Sequence, residues 1–565
     1  MVAPVDPNDR VVIGLTFGNS NSSIAYTVDD KAEVIANEDG DRQIPTVLSY
    51  VDGDEYYGAQ AKAFLVRNPN NTIAYFRDFL GKDFKSIDPT HCHAAAHPKD
   101  ISGHISFTVQ DKAQEEDEEE KEIELSTVSI DETATRYIRR LVTSASDYLG
   151  KTVTSTVITV PTNFNDKQRA ALSKAAEAAG LEVLQLISDP IAAVLAYDAR
   201  KEAVISDKIV VVADFGGTRS DVTVVASRGG MYTILATVHD YDFAGVHLDN
   251  ALMDHFAKEF IKKHEVDPRG NARSLAKLRL ESEAAKKALS IGSNAQFSVE
   301  SLADGFDFSC TINRVRYEMV GRKVFEGFNR LVESAVKKAE LDVLDVDEVI
   351  MCGGTSHTPR VANNLAGIFP ETTTILAPAT STVAINPSEL QARGAALQAS
   401  LIQEYEAADI EQSTHAAVTT VKHTANAIGV VTVGADGETF TPIMQAETAV
   451  PARRTVHIPT PKSGGDVLIK VVEGGTHIKV TKPEPKPEQN GDNDEDDSDF
   501  DSDEEDEEKR EKLWKIGSPL AEAAIKGVKA GAKVEVTINV LGDLSVTITI
   551  REVGGKGGVR GTLAA

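Results

Sequence analysis

Between residues 11 and 407 the chain alternates short apolar, often β-branched runs with stretches of helical periodicity. Residues 156–160 (TVITV) predict a buried strand, and residues 181–187 predict the next one. Between these strands Asn165 is suited to cap a helix that Gly180 ends, and Pro190 suits the first turn of the following helix. Strands and helices in such short alternation predict a mixed α/β sheet.

Beyond residue 407 the pattern changes. A weakly apolar connector at 408–421 is followed by short alternating runs at residues 428–433, 438–443, 467–472, 476–480, 534–540 and 544–550. The first two runs flank a glycine-containing turn and the last two enclose residues 541–543, so each pair predicts a hairpin. We predict an all-β sandwich over 422–565. A proline-rich and then acidic insertion at 481–511 is expected to be disordered, and the glycines at 554–558 predict no helical ending.

The composition excludes several classes of protein. A length of 565 residues allows three or four folded units, and 41% hydrophobic residues can build sizeable cores. We find no apolar run long enough for a membrane-spanning helix and no secretory signal at the start. Three widely spaced cysteines do not make a disulfide framework. We therefore expect a soluble cytoplasmic protein without a membrane partner.

The net charge of −28 is concentrated in two segments. Residues 115–120 are six consecutive acids, and residues 492–508 contain thirteen acids in seventeen positions. Without these nineteen acids, 68 carboxylates face 59 Lys and Arg residues, so the folded part is only mildly acidic. Acidic runs repel nucleic-acid phosphate. We expect no direct nucleic-acid binding, and any contact with an RNA-containing particle should go through a basic partner protein.

Three glycine turns follow predicted strands. The strand at 11–15 precedes the Gly18, Asn19 and Ser20 turn, and the strand at 209–214 precedes the turn at 216–220; both chains then return as strands. A third strand, 349–352, leads into Gly353 and Gly354. Such turns expose backbone N–H groups that can cradle phosphate, although a single glycine turn is more often only a turn. Together they suggest a duplicated, two-lobed domain that holds a nucleotide in its cleft.

These segments resemble the DnaK-type family of 70 kDa heat-shock chaperones. The similar stretches are residues 13–20, 71–81, 160–163, 187–197, 213–222, 283–290, 301–317, 353–359 and 386–398. The resemblance implies an α/β, actin-like (ribonuclease H-like, two-lobed) nucleotide-binding domain at 1–407 and a linker at 408–421. It also implies a peptide-binding-type β-sandwich domain at 422–565, which here lacks the family's helical lid.

Several departures from the family fall on its catalytic positions. Thr16 stands where the family has the Asp that organises the magnesium-bound waters, Arg77 replaces its catalytic Lys, and Asp189 replaces its Glu. In the second turn Thr218 replaces a Gly and Arg219 replaces a Thr. Losing one positioned group typically costs about 10² to 10⁴ in rate. We therefore predict that ATPase activity is absent or very weak and that no residue of the chain acts catalytically.

The resemblance nevertheless implies ATP binding. The implied nucleotide-binding residues are Gly18, Asn19, Ser20, Arg77, Gly216, Gly217, Thr218, Arg219, Glu283, Lys286, Lys287, Ser290, Gly353, Gly354 and His357. His357 stands at the family's stacking Arg, and Ser388 at its ribose-side Asp. Whether Mg²⁺ is needed stays open, with Asp189 and Asp214 as candidates that act through water. Arg219 either takes over part of the metal's charge or faces solvent, and residues 283–290 either contact adenosine or form an exposed, ion-paired helix.

Within the family the chain resembles the atypical subunit of the fungal ribosome-associated complex. The shared features are the turns at 16–19 and 215–221, the missing lid, the acid-interrupted sandwich and a connector too poor in aliphatic residues to dock as a strand. The resemblance implies a non-hydrolysing co-chaperone in a stable heterodimer with a zuotin-type J-domain protein. That pair would contact the ribosome through the partner and stimulate a ribosome-bound heat-shock chaperone. The alternatives are an ATP-hydrolysing folding chaperone and a nucleotide-exchange factor of the same family, with a small-molecule kinase as a remote fourth.

Two smaller signals remain. His91, Cys92 and His93, with His97 and His104, have metal-binding side chains, but their segment reads as a loop insertion and not as a four-ligand site. Trp514, the only tryptophan, follows the acidic insertion and is predicted to anchor the returning strand.

Overall fold

The computed structural model describes residues 5–91, 95–112, 125–200, 203, 205–414, 421–434, 437–461, 463–481, 509–555 and 558–564. The chain divides into two units, residues 1–225 with 234–419 and residues 226–233 with 420–565. Among the described residues, no helix is long and apolar enough to cross a membrane.

The part of the chain before residue 415 contains nineteen of the described strands. Their bounds are β1 Val12–Phe17, β2 Asn21–Val28, β3 Lys31–Ile35, β4 Ile44–Pro45, β5 Val47–Val51, β6 Asp54–Tyr57, β7 Thr72–Ala74, β8 Lys99–Ile101, β9 His104–Val109, β10 Ser126–Ser129, β11 Ser155–Val160, β12 Glu182–Ser188, β13 Lys208–Phe215, β14 Ser220–Arg228, β15 Met231–Asp240, β16 Asn294–Ala303, β17 Phe306–Asn313, β18 Glu348–Cys352 and β19 Thr374–Leu376.

The same part contains eleven described α-helices. They are α1 Gly58–Ala63, α2 Ile130–Leu149, α3 Asp166–Ala178, α4 Asp189–Asp198, α5 Gly245–His264, α6 Ala272–Ile291, α7 Arg314–Val320, α8 Arg322–Lys338, α9 Pro359–Ala366, α10 Leu390–Ile402 and α11 Ala407–Thr414. Short 3₁₀ turns at Arg77–Phe79 and Gly354–His357 also carry residues of the candidate site.

Two large sheets repeat one topology. One runs β3-β2-β1-β11-β12, with β4 paired to β2, and the other runs β15-β14-β13-β18-β19. In both, two consecutive strands lie side by side, and the first of them pairs in parallel with a later strand, β11 or β18. The predicted mixed α/β architecture is confirmed, and the repeated order is consistent with a duplicated, two-lobed, actin-like fold. Three smaller sheets accompany these two: β6-β5-β7, β10-β9-β8 and β16-β17.

The local signals in the sequence account for the elements around β11. All six residues of β11 are buried, as its apolar run predicts. The Asn165 side chain accepts a hydrogen bond from the Gln168 backbone N–H and closes a capping box at the start of α3. Gly180 follows the helix with a φ of +101°, a left-handed conformation that glycine adopts freely. Pro190 lies in the first turn of α4, so these predictions are confirmed.

The connector predicted at 408–421 begins as a helix. Helix α11 packs on the first unit through Ile410, which is buried in a cluster that also contains Leu184, Ala395 and Ile402. Its single buried aliphatic residue suits a short docked helix better than a strand. Residues 415–420 of the predicted connector lie outside the described residues. The domain boundary at residue 407 stays a prediction. The two units of the structure divide at residue 419.

The second unit contains eight described strands. They are β20 Ala427–Gly434, β21 Gly437–Met444, β22 Ala452–Pro459, β23 Gly465–Thr481, β24 Lys509–Val528, β25 Lys533–Val540, β26 Val546–Glu552 and β27 Gly558–Leu563. They form two sheets, β21-β20-β23-β24 and β22-β25-β26-β27. Val430 and Val471 of one sheet share a core with Val536 and Ile548 of the other, so the predicted sandwich is present. The described residues from 421 onward include no helix, and the absence of a lid stays a prediction.

The sandwich differs from the sequence-based expectation in several places. The two runs at 467–472 and 476–480 form one bulged strand, β23, and β26 begins at Val546 because Leu544, at φ +76°, lies in the turn. Strand β27 begins at Gly558, the last residue of the glycine-rich stretch 554–558, in which residues 556 and 557 lie outside the described residues. Both ends of the insertion predicted to be disordered, residue 481 and residues 509–511, are strand residues; residues 482–508 between them lie outside the described part of the chain.

Candidate functional site

The two glycine turns of the large sheets meet each other. Asn19, between β1 and β2, donates a buried hydrogen bond of 3.0 Å from its Nδ2 to the Oγ1 of Thr218, between β13 and β14. A Cβ on Gly217 would lie 2.3 Å from the Oγ of Ser20, so only glycine permits this approach. The Ser20 Oγ is buried and makes no hydrogen bond within the described residues, which leaves it suited to an oxygen of a bound phosphate.

The second turn is held in place by helix α5. The backbone carbonyl oxygens of Gly216 and Gly217 accept hydrogen bonds from the backbone N–H groups of Gly245 (3.0 Å) and Val246 (2.8 Å). Thr355 also donates its hydroxyl to the Gly216 carbonyl, at 3.0 Å. The first turn of α5 and the turn after β18 thus fix the second glycine turn from the same side.

Gly245 marks the point where three predicted parts of the site converge. A Cβ at this position would lie 2.6 Å from the Thr355 Oγ1, 3.2 Å from the Gly216 carbonyl oxygen and 3.3 Å from the Lys286 Nζ. The second turn, the turn at 353–357 and helix α6 therefore surround one place, although they are far apart in sequence.

Arg219 does not face solvent. Its side chain is buried, with 6% of the residue exposed, and its Nε lies 2.8 Å from the Asp221 Oδ2. Its Nη1 donates to the Asn163 Oδ1 at 3.2 Å and to the Tyr241 hydroxyl at 3.3 Å. Burial opposes the charged form, but the nearby carboxylates, Asp221 foremost, raise the pKa of Arg219 above its ordinary value. The solvent-facing alternative is thus wrong, and a permanent cation lies inside the site.

Arg77 is also enclosed by protein. Its Nε lies 2.7 Å from the Asp78 Oδ1, and its guanidinium carbon lies 5.2 Å from the centre of the Phe164 ring. The backbone N–H of Asp78 donates to the Asn19 Oδ1 at 3.3 Å, which ties this 3₁₀ turn to the first glycine turn. Burial would raise the pKa of Asp78, but Arg77 and then Arg219 lower it below its ordinary value. Arg77 is therefore anchored beside the turn as one half of an ion pair.

Three carboxylates line a cavity of about 10 Å³ beside Arg219, which is room for at most about one water molecule. They belong to Asp189, Asp214 and Asp221, and the cavity is also lined by Thr162. The Asp221 Oδ1 and the Thr162 Oγ1 are buried without a hydrogen-bond partner among the described residues. Thr16 lies at the neighbouring strand end, where its Oγ1 accepts a 3.2 Å hydrogen bond from Thr159.

These side chains do not fit a bound divalent cation. The described residues contain no group of three or more His, Cys, Asp or Glu side chains placed to hold a metal ion. A carboxylate is missing at Thr16, and the Asp221 carboxylate is already paired with Arg219. Mg²⁺ needs several oxygen ligands in a near-octahedral arrangement. For the histidine-rich loop, Cys92 and His93 lie outside the described residues, and His91 contacts aromatic rings of Tyr75 and His247.

Asp214 carries a strongly altered acidity. Burial, followed by the carboxylates of Asp189 and Asp221, raises the pKa of Asp214 to about 7. The Gln391 Nε2 of helix α10 donates to the Asp214 Oδ2 at 2.6 Å and opposes that rise. Burial likewise raises the pKa of Asp189. The cluster therefore contains fewer negative charges near neutral pH than its three carboxyl groups suggest.

We predict a pH-dependent stability difference between the wild-type protein and Asp214→Asn. A raised folded-state pKa stabilises the fold fully below about pH 4, and this stabilisation is lost as the pH rises through about 7. Relative to Asp214→Asn, the wild-type free energy of unfolding should fall on the order of 1 kcal/mol per pH unit across that window. Urea unfolding at several pH values measures this. Asp147→Asn, at an exposed helix position, should behave like the wild type, and parallel profiles for Asp214→Asn would contradict the prediction.

Helix α6 carries the residues predicted to contact the nucleoside. Glu283 accepts from the Lys62 Nζ of α1 at 2.6 Å and pairs with Lys287 at 2.8 Å. The Lys286 Nζ pairs with Asp249 at 2.8 Å and donates to the Gly245 carbonyl at 3.0 Å. Burial acts against ionisation, but the lysines, Lys62 first, hold the pKa of Glu283 far below its usual range.

The ion-paired reading of this helix is confirmed only in part, because the helix is not fully exposed, and contact with adenosine stays a prediction. Glu283 and Lys286 are largely buried, whereas the Lys287 side chain is 65% exposed. The Ser290 hydroxyl donates to the Lys286 carbonyl at 3.2 Å within the helix. The face that turns toward Gly245 consists of ion pairs and is half-buried, and it is not a solvated outer face.

The turn after β18 brings together two residues, His357 and Ser388, that stand where the family has other side chains. Gly353 has a φ of +80°, and its missing Cβ leaves room for the Phe215 carbonyl and the Asp214 carboxylate, which would lie 2.4 and 2.5 Å away. Gly354 has open space in front of it, with the Ser388 Oγ the nearest atom at 3.8 Å. The His357 Nε2 and the Ser388 Oγ are 3.0 Å apart and share a hydrogen bond. Burial lowers the pKa of His357, so its ring is neutral near pH 7.

The sequence missed several side chains that shape the site. These are Lys62, Asp78, Asn163, Asp221, Tyr241 and Gln391, each of which contacts a predicted residue. Asp221 has a readable signal, since it closes the second turn motif, and Asp78, Asn163 and Gln391 lie inside the matched segments 71–81, 160–163 and 386–398. Lys62 and Tyr241 reach the site only through the fold.

Comparison with known proteins gives consistent results. A model of the Hsp70 protein family matches residues 12–483. The chain is 44% identical over 557 residues to a heat shock protein 70 homologue of Schizosaccharomyces pombe, covering 98% of this chain and 96% of that protein. It is 43% identical over 553 residues to the ribosome-associated complex subunit SSZ1 of Saccharomyces cerevisiae, with coverage of 98% and 99%. The heat shock 70 kDa protein 14 of Xenopus tropicalis is 32% identical over 464 residues, or 82% of this chain and 88% of that protein.

Proposed function

This chain belongs to the Hsp70 family, and on that premise we propose that it is an ATP-binding co-chaperone that does not hydrolyse its nucleotide. In this proposal it is a cytoplasmic subunit of a ribosome-associated complex. It scaffolds a zuotin-type J-domain protein and helps that partner stimulate the ATPase of a ribosome-bound Hsp70 during nascent-chain folding. Similarity over nearly the whole length of the S. cerevisiae subunit supports this role.

The observation that carries the non-hydrolysing part is the position of Arg219. A guanidinium lies 2.8 Å from Asp221 and within the carboxylate cluster, where phosphoryl transfer requires a metal ion and an aligned water. Thr16 contributes only a neutral hydroxyl to the same strand end. Arg77 is occupied by Asp78 and cannot act as a mobile ammonium. Each of these changes removes an element of the chemistry, and none supplies a replacement base.

Nucleotide binding is supported by a polar group that the protein leaves without a partner and by space beside the third glycine turn. The buried Ser20 hydroxyl has no partner among the described residues, and the paired glycine turns bring backbone groups close together. On the nucleoside side, the space in front of Gly354 and the ordered ion pairs of Glu283 and Lys286 form a preorganised wall. These contacts would bind ATP, but they do not include the groups that hydrolysis needs.

We expect ATP binding to be independent of magnesium. The Arg219 guanidinium already supplies positive charge beside the carboxylate cluster, and the carboxylates do not converge on a metal ion. The affinity for ATP should therefore differ by less than about tenfold between buffer with Mg²⁺ and buffer with EDTA. Equilibrium filter binding with labelled ATP measures this. A hydrolysing Hsp70 assayed in parallel serves as the reference. A loss of affinity in EDTA as large as that of the reference would mean that a metal site forms in spite of Arg219.

The partner proposal rests on the second unit and on the connector. The sandwich sheets end in edge strands, and an edge can accept an added strand from a fixed partner segment. The connector begins as the docked helix α11, so the strand-like linker that couples nucleotide state to peptide release in the family has no counterpart at 407–414. Permanent scaffolding fits this arrangement better than a cycle of peptide binding and release.

Co-purification tests the scaffold directly. The chain expressed with its natural J-domain partner should elute with it as an equimolar complex that persists in ATP, in ADP and without nucleotide. A hydrolysing chaperone would release the J-domain protein as the nucleotide changes, and a nucleotide-exchange factor would instead elute with another Hsp70. Either of these results would overturn the scaffold and identify the alternative.

A further inference from the structure

Strands β23 and β24 extend together beyond the sandwich. The last pair between β23 and β20 is Gly474 with Ala427, whereas β23 and β24 remain paired as far as Thr481 and Lys509. Residues 475–481 and 509–515 therefore form a two-stranded segment, which we call the basic ribbon. At about 3.3 Å per residue it is roughly 20 Å long.

The basic ribbon is exposed and positively charged. Eleven of its fourteen residues are exposed, and only Ile478, Glu511 and Trp514 are half-buried. It carries one acid, Glu511, which lies 2.7 Å from the Lys509 Nζ. Against this acid stand five cations: Lys479, Lys509, Arg510, Lys512 and Lys515. A net charge of this sign is unusual in a chain whose formal charge is −28.

The chain's most acidic segment is attached to this ribbon at both ends. The chain leaves the ribbon at Thr481 and returns at Lys509, which are paired with each other. Residues 492–508, with thirteen acids, end directly before Lys509. A segment tethered at both ends has a high effective concentration at its attachment point, in the millimolar range for short flexible connections.

We propose that the basic ribbon is a docking site for this chain's own acidic segment, residues 492–508, and that the segment shields the ribbon from nucleic-acid phosphate. The charges are complementary, and exposed pairs attract over a screening length of about 10 Å at moderate salt. Exposed lysines such as Lys479 and Lys515 also suit the backbone of RNA. Any RNA, however, has to displace a polyanion that never diffuses away, so the tethered segment is the favoured occupant.

This inference gives the acidic segment a specific role. Exposed Lys and Arg side chains attract nucleic-acid phosphate non-specifically, so covering them suppresses that binding. The inference stands on the ribbon's own charge and geometry and does not require the function proposed above.

Two charge-matched variants of the full chain test the shielding. In the first, the six acids at 503–508 are changed by Asp→Asn and Glu→Gln; in the second, the six acids at 115–120 are changed in the same way, so both alter the net charge equally. Binding of fluorescein-labelled single-stranded polyuridylate is followed by anisotropy at low and physiological salt. We expect the 503–508 variant to bind at least about tenfold more tightly than the wild type, and the 115–120 variant to bind like the wild type.

A third set of substitutions locates the effect. Adding Lys479→Gln, Lys509→Gln and Lys515→Gln to the 503–508 variant should abolish the gain. Adding Lys526→Gln, Lys529→Gln and Lys533→Gln, at the other end of β24, in the turn after it and at the start of β25, should leave the gain in place. Equal gains in the 503–508 and 115–120 variants would reduce the effect to net charge and overturn the proposal. Wild-type protein that binds RNA as tightly as the 503–508 variant would make RNA the occupant and the docking wrong.

Zero-length carbodiimide cross-linking of the wild type supplies a readout independent of RNA. Carboxylates of residues 492–508 should couple to Lys479 and Lys515, with yields that fall as salt is added. Coupling to Lys526 and Lys533 at the same frequency, or no coupling to the ribbon, would overturn the docking. Coupling to the ribbon without a gain in RNA binding for the 503–508 variant would overturn the shielding.

Discussion

Single-turnover ATP hydrolysis is expected to rise by about 10² to 10⁴-fold when Thr16→Asp, Arg77→Lys and Arg219→Thr are combined. These substitutions place the residues of the hydrolysing Hsp70 proteins back at their positions. The wild type should retain radiolabelled ATP intact, because its site contains a guanidinium where the reaction needs a metal ion and an aligned water. The assay follows phosphate release and ATP retention in parallel, with Mg²⁺ present throughout.

Partial variants separate the contributions. Arg77→Lys alone should remain inactive, since the ammonium meets neither a metal nor the carboxylate that is missing at Thr16. Thermal unfolding confirms that each variant is folded, which matters because loss of Arg219 weakens the fold. Wild-type protein that releases phosphate as fast as a hydrolysing Hsp70 would mean that Arg219 or a neighbour has rebuilt the site. The ATP-driven chaperone would then replace the scaffold.

Arg219→Gln is expected to lower the free energy of unfolding by about 3 to 5 kcal/mol, the usual cost of leaving a buried charge without its partner. Asp221 loses its 2.8 Å ion pair, and Asp189 and Asp214 each lose a cation that favours their ionised form. Urea unfolding measures the change. The acidic cluster should also take up protons at a higher pH, so the loss should shrink as the pH is lowered.

Two further variants test this account. Arg219→Gln with Asp221→Asn should recover part of the stability, because the double variant removes the orphaned carboxylate as well. Arg322→Gln removes an exposed arginine, 80% accessible, that pairs with Glu326 at 2.6 Å, and should leave stability almost unchanged. Equal losses for Arg219→Gln and Arg322→Gln would mean that solvent screens the site and that Arg219 is not its internal cation.

The fold was predictable wherever local signals determine it. Asn165 and Gly180 bound α3 because capping and left-handed backbone are properties of single residues. Strand β24 was not predictable from its own sequence, since residues 509–528 contain a proline, two glycines and no regular alternation. Its pairing with β23 determines it, and Pro519 is tolerated because β24 is an edge strand.

The site was predictable in its membership but not in its contacts. The sequence locates Arg219, and only the fold places Asn163 and Tyr241 around its guanidinium. His357 and Ser388 are 31 positions apart, and in the sequence they look like two unrelated departures from the family. In the structure they share one hydrogen bond, so they constitute a single exchange of one polar pair for another.

Lys62 and Glu283 connect α1 to α6 at 2.6 Å, and Asn19 and Thr218 connect the two glycine turns at 3.0 Å. In the nucleotide complex proposed above, a ligand between these elements would leave only when both contacts open at once, which is rarer than the opening of either one alone. Its residence time therefore grows much faster with each added contact than its affinity does. Under the proposed function such a molecule would exchange its nucleotide slowly, so that its occupancy would lag behind changes in the supply of ATP.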